Sequence, residues 1–220
     1  MKGTFDIEKH KAELEATTKE LKDFFGGIIP QFVKESGGIL FDNVRFWRWK
    51  NQVNIIKKAK KFLEENNLQK NPVSLKVLVP LLEASSLEED QTMQDKWANL
   101  LTNAISNKLE IRPNYVEILK ELSPIEVLLL DKIYEEARKE SDYQKRLSLN
   151  FDKQKICDWL KLSSEKFDVL IENLFRLNLC RMPGATGIMF GNNKVAVHTT
   201  NLFELTSMGF DFVKACRNNI

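Results

Sequence analysis

The chain has 220 residues, enough for one large domain or two small ones with a real core. Hydrophobic residues make up 43% and charged residues 29%, which excludes a disordered chain, and 9 Gly with 6 Pro argue against a turn-rich all-β fold. The net charge of +2 excludes whole-molecule electrostatic binding of nucleic acid, so any such role needs a local patch.

The first element is a helix from Ile7 to Phe25, with Ile7, Leu14, Leu21 and Phe25 on its apolar stripe and charged residues on the other face. Charge from Lys2 through Asp23 is incompatible with a signal peptide. The uncharged run Phe24 to Val33, about ten residues, is too short to span a membrane. His10 stands near the stripe without a second His or Cys at the spacing a metal site needs, so it reads as a half-buried helix residue. Gly26-Gly27, Pro30 and Gly37-Gly38 then break the pattern, leaving Phe24 to Phe41 irregular.

A long helix follows from Asn43 to Asn66, with Trp49, Val53, Ile56, Ala59 and Leu63 at three- and four-residue spacing. Its other side is basic: Arg45, Arg48, Lys50, Lys57, Lys58, Lys60 and Lys61. With Trp47 and Trp49 beside them, these cations suit a phosphate backbone or an anionic membrane surface; the plainer reading is a solvated face whose tryptophans enter the core. A short apolar helix, Leu75 to Glu83, comes next. Ser86-Leu87-Glu88-Glu89 has the form of a capping box, and Glu88, Glu89 and Asp90 suit the positive end of a helix dipole. The helix it opens carries Met93, Trp97, Leu100, Leu101 and Ala104 on one face. Glu83, Glu88, Glu89, Asp90 and Asp95 offer oxygens to a divalent cation, but EF-hand spacing is absent and capping accounts for the cluster.

Beyond Arg112-Pro113, a short helix from Tyr115 to Leu122 leads to Ser123-Pro124-Ile125-Glu126, a second start signal. The helix after it is broadly apolar and therefore central. Glu140 to Leu147 reads as a loop. Asp152–Leu160 and Ser164–Leu177 read as helices joined by Lys161-Leu162-Ser163, at helix-turn-helix spacing. A hairpin over Gly187–Phe190 and Lys194–Thr199, an extended piece Leu202–Leu205 and a last helix Ser207–Cys216 complete the order of a winged-helix module. Its candidate recognition helix is net acidic, with Glu165, Asp168 and Glu172 against Lys166 and Arg176, which favours protein over phosphate as the contact.

Chemistry has little support. Cys157, Cys180 and Cys216 form neither a disulfide framework nor a zinc pattern and point to a reducing compartment. Only Cys180 and His198, near the same hairpin, offer a Cys–His pair; Cys157 and Cys216 read as core. Phosphate-loop, dinucleotide-binding, zinc-protease and nucleophile-elbow motifs are all missing.

Residues Pro80 to Ile105, PLLEASSLEEDQTMQDKWANLLTNAI, resemble the central motif of the abortive infection alpha family, through Glu83, Glu88, Glu89, Asp90, Trp97, Ala98, Leu100 and Leu101. FWRWKN at Phe46–Asn51, ILKELSPIEVLLLDKI at Ile118–Ile133 and ELTSMGFDFVKAC at Glu204–Cys216 are similar to its flanking segments, so the resemblance covers most of the chain after Val44. It implies a bacterial role in phage defence and carries over no catalytic residue.

The expectation is therefore a mainly α protein: an N-terminal segment (1–43), a helical bundle with the motif (44–113) and a winged-helix-like α+β module with a small β-hairpin (114–220). It is expected to be cytoplasmic, non-enzymatic and without cofactor or metal. It would act through a protein partner, either a phage component or a host toxin or effector. Nucleic acid at the basic helix and membrane disturbance through Phe24–Trp49 are the alternatives, and self-association is compatible with the charged faces.

Overall fold

The computed structural model describes residues 43–183 and 201–218, together with Ala16, Thr17, Lys19 and Phe24, which are helical; of residues 43–46 the backbone alone is described. The rest of the helix expected at Ile7–Phe25, including His10, lies outside the described residues. So do the segment 25–42 and the hairpin expected between Gly187 and Thr199, with His198. Among the described residues the fold is mainly helical with a small three-stranded antiparallel sheet. The chain divides into two compact units, Met1–Lys120 and Glu121–Ile220.

The first unit contains α1 (Asn43–Glu65), α2 (Leu75–Ser85), α3 (Gln91–Ser106) and α4 (Asn114–Lys120). α1 packs along α3, and α2 packs against α1, α3 and α4. The stripe read from the sequence is the buried one: Trp49, Val53, Ile56, Ala59 and Leu63 of α1 are buried, as are Leu81 and Leu82 of α2 and Met93, Trp97 and Leu101 of α3. α1 stops where Asn67 takes a left-handed backbone (φ 50°) and the Leu68 amide returns to the Leu63 carbonyl at 2.9 Å. Asn71 then ties the α1–α2 connection to the end of α3. Its backbone amide donates to the Ile105 carbonyl (2.8 Å) and its side-chain amide to the Ser106 carbonyl (3.1 Å). These are carbonyls a helix end leaves without an internal partner. The cation of Lys70 sits 4.4 Å from the ring centroid of buried Phe24.

The second unit runs α5 (Pro124–Ala137), α6 (Tyr143–Leu147), β1 (Asn150–Asp152), α7 (Lys153–Leu160), α8 (Ser164–Arg176), β2 (Cys180–Arg181), β3 (Leu202–Leu205) and α9 (Ser207–Ala215). β3 is the central strand. It pairs antiparallel with β1, Phe203 opposite Phe151, and with β2, Leu205 opposite Cys180. The stretch expected as a loop at Glu140–Leu147 is in part a helix. Asp142 caps α6 by accepting from the Lys145 amide (2.8 Å), and the Arg146 guanidinium closes the segment onto the Glu140 carbonyl (3.1 and 2.9 Å). The α7–α8 turn is as expected: Lys161 is left-handed (φ 55°), the Leu162 amide reaches back to the Cys157 carbonyl, and Ser163 caps α8.

Candidate functional site

The motif Glu83–Leu101 forms the junction between α2 and α3, and α1 braces it from the side. The expected capping box at Ser86 is not formed. Helix α3 begins at Gln91, and its N-cap is Asp90, whose carboxylate accepts from the Met93 amide at 3.0 Å. Ser86 instead ends α2. Its hydroxyl donates to the Glu83 carbonyl (2.6 Å) and accepts from Arg48 Nε (3.0 Å). Asn51 donates to the Ser86 carbonyl (3.1 Å) and Gln52 to the Leu82 carbonyl (2.8 Å). Asn51 and Gln52 of α1 thus satisfy carbonyls at the open end of α2, and the Arg48 charge lies at the negative end of its dipole. That tertiary demand draws Ser86 to α2 and leaves the cap of α3 to Asp90.

The remaining acidic residues of the motif do structural work or face solvent. Glu88 accepts from the Asp90 amide (3.0 Å), and its own carbonyl accepts from the Gln94 side chain (2.9 Å). Asp95 pairs with Lys58 at 2.6 Å. Glu83 and Glu89 are exposed. Among the described residues no group of three His, Cys, Asp or Glu side chains is placed to hold a metal ion. Trp97 and Leu101, at 1% and 0% exposure, are core.

The basic set divides in two. Arg48 closes α2, Lys58 bridges to Asp95 and Gln91 (2.6 and 3.2 Å), and Lys60 stands 4.0 Å from Glu64. Lys50, Lys57 and Lys61 are exposed; Lys50 lies 5.2 Å from the Trp47 ring centroid and Lys61 makes an exposed contact of 3.7 Å with Glu65. The side chain of Arg45 lies outside the described set, although its backbone is in α1. The two tryptophans separate as well: Trp49 is buried at 4%, while Trp47 is 56% exposed.

In the second unit, the cap read at Ser123 is present in full and reaches further than the sequence indicates. Glu126, only 6% exposed, accepts from the Ser123 amide and hydroxyl (both 2.6 Å) and from Asn173 of α8 (2.7 Å). Arg176, one turn on, pairs with Glu121. The start of α5 therefore fixes the end of α8. Across the sheet, the Thr206 hydroxyl accepts from the Gly209 amide (2.9 Å) and donates to the Asn178 carbonyl (2.7 Å). The Thr206–Gly209 contact is a local helix cap, but the bonds of Asn173 to Glu126 and of Thr206 to Asn178 carry no local signal, because their partners lie 47 and 28 positions away. The three cysteines are buried, and burial pushes the thiols of Cys157 and Cys180 above the usual range, so neither presents a thiolate near neutral pH.

A family model described as abortive infection alpha matches residues 50–216 of the 220-residue chain. No curated protein and no solved structure matches.

Proposed function

The chain belongs to the abortive infection alpha family, and from that premise we propose that it serves phage defence as a non-enzymatic protein acting through protein contacts, as sensor, regulator or effector. The outer face of α8 supports this reading most directly. Val169 is 71% exposed there, between the exposed residues Glu165, Lys166 and Glu172. The carboxylates there outnumber the one cation and disfavour a phosphate backbone, while the exposed apolar side chain suits a polypeptide partner. In this reading α7, α8, the sheet and α9 work as a winged-helix-like module turned to protein contact. The partner is a phage component or a host toxin. Three buried, free cysteines agree with a reducing, cytoplasmic setting.

The membrane-disturbing alternative rests on Phe24–Trp49, most of which lies outside the described residues; among the described residues no helix is long and apolar enough to cross a membrane. The test is phage plating on cells expressing the wild type or Val169→Asp, with survival of infected cells counted in parallel. Wild-type protection with death of infected cells before phage release is expected. Val169→Asp should lower protection at least about ten-fold at equal soluble level, one tenfold step corresponding to about 1.4 kcal/mol of lost contact. Undiminished protection by Val169→Asp would remove α8 as the contact, and no protection by the wild type across a broad phage panel would remove the function itself.

A further inference from the structure

We infer that the outer face of α1 is a binding site for single-stranded nucleic acid, a site separate from the α8 face and independent of the reading given to that face. Trp47, Lys50, Asn54, Lys57 and Lys61 recur at spacings of three and four residues and so form one line along the helix. The line lies on the side of the helix away from the buried Ile56, Ala59 and Leu63. It runs about 20 Å along the axis, with Lys57 and Lys61 about 6 Å apart and Lys50 about 10 Å further on. Helix α1 as a whole has seven basic side chains against two acidic ones, in a chain of net charge +2. Arg48 and Lys58, bonded to Ser86 and Asp95, stand off the line; the exposed Lys50, Lys57 and Lys61 stand on it.

At the Trp47 end the line meets a cleft of about 570 Å³ between α1 and the α2–α3 turn. Its apolar walls are Trp47 and Leu87, 56% and 67% exposed. Between them stand the amides of Asn54, Gln91 and Gln94. Gln94 is 2% exposed; its nitrogen is held by the Glu88 carbonyl, and its oxygen is buried with no hydrogen-bond partner. An aromatic wall beside side chains that both donate and accept matches an unpaired base, which offers a flat face and a polar edge. Glu89 on the turn side of the cleft repels phosphate, which places the backbone on the lysine side. A duplex keeps its bases stacked and presents neither the face nor the edge that this cleft fits.

The experiment is fluorescence anisotropy of the full-length protein with a labelled single-stranded oligonucleotide of about 20 nucleotides. The matching duplex and phosphatidylserine vesicles are run as competitors. Three phosphate contacts predict a log–log salt slope of about −2. The variant Lys50→Glu/Lys57→Glu/Lys61→Glu, substituted only at exposed positions, should lose at least about ten-fold in affinity and flatten that slope. Trp47→Ala should lose about ten-fold and Trp47→Phe should keep most of the binding. Lys145→Glu/Lys155→Glu/Lys161→Glu, at exposed positions of the second unit, should bind as the wild type does. Circular dichroism checks that each variant is folded. Four outcomes overturn the inference: no binding at low salt, binding untouched by the α1 reversal, duplex bound as tightly as single strand, or vesicles bound in place of the oligonucleotide.

Discussion

At Gly209 an added Cβ would stand 2.1 Å from the Leu179 carbonyl oxygen and 2.8 Å from a Leu205 methyl group. Helix propensity alone would make Gly209→Ala stabilising by about 1 kcal/mol. Backbone against side chain reverses that sign, and we expect a loss of about 3 kcal/mol, read as a lower midpoint in urea unfolding. Nothing in the periodicity of Ser207–Ala215 marks this glycine, because the atom it must avoid belongs to another element. The same limit applies to Asn173, which binds Glu126 from 47 positions away. Trp97 and Leu101, by contrast, were legible as core, since helical spacing alone puts them on one face. Cys180 carries a pH prediction. Its thiol is pushed up by burial, so the folded state holds the proton more tightly than the unfolded chain, whose thiol titrates near about 8.5. That contribution is complete below the unfolded value and declines as pH rises above it. Wild-type stability should therefore fall between neutral and alkaline pH more steeply than that of Cys180→Ala, measured by urea unfolding across the range.

Caps decide the elements around the motif. Ser86 and Asp90, both residues that cap helices, lie within five positions, and the Ser86-x-x-Glu89 pattern favours Ser86. The choice falls to Asp90 because Arg48 and Asn51, nearly 40 residues upstream, hold Ser86 at the end of α2. Asp90→Ala should cost about 1 kcal/mol and Asp90→Asn only a fraction of that, since Asn caps as well as Asp; urea midpoints of the two variants separate the cap from its charge. Long helices were readable because several turns repeat one stripe. β1 and β2, of three and two residues, are shorter than any alternation can reveal, and they exist through pairing with β3. The basic face of α1 was legible as a composition. Its division into tied and exposed cations was not, because Asp95 and Ser86 reach it from other segments.

Each unit has its own core, and the second has the more evident means of closing itself. Leu129, Ile133, Phe167, Leu174, Phe203 and Phe212 are all at most 2% exposed. Around them the rings of Tyr134 and Phe210 lie 4.6 Å apart, with the Arg146 guanidinium over Phe210 and that of Arg217 over Tyr134. Arg217 also pairs with Asp131 and Glu135, fastening the chain just past α9 to α5. Equal numbers of basic and acidic side chains fall within Glu121–Ile220, so no excess of charge opposes its compaction. A domain of about 100 residues with such a core is of a size that folds alone. The fragment Glu121–Ile220, expressed by itself, should therefore unfold in urea in one cooperative step. Arg217→Ala in that fragment should lower stability by about 2 kcal/mol, because it leaves two carboxylates without their shared cation and uncovers the Tyr134 ring. A fragment that lacks a cooperative transition would mean that the rings and the Arg217 clamp need residues before Glu121 to hold them.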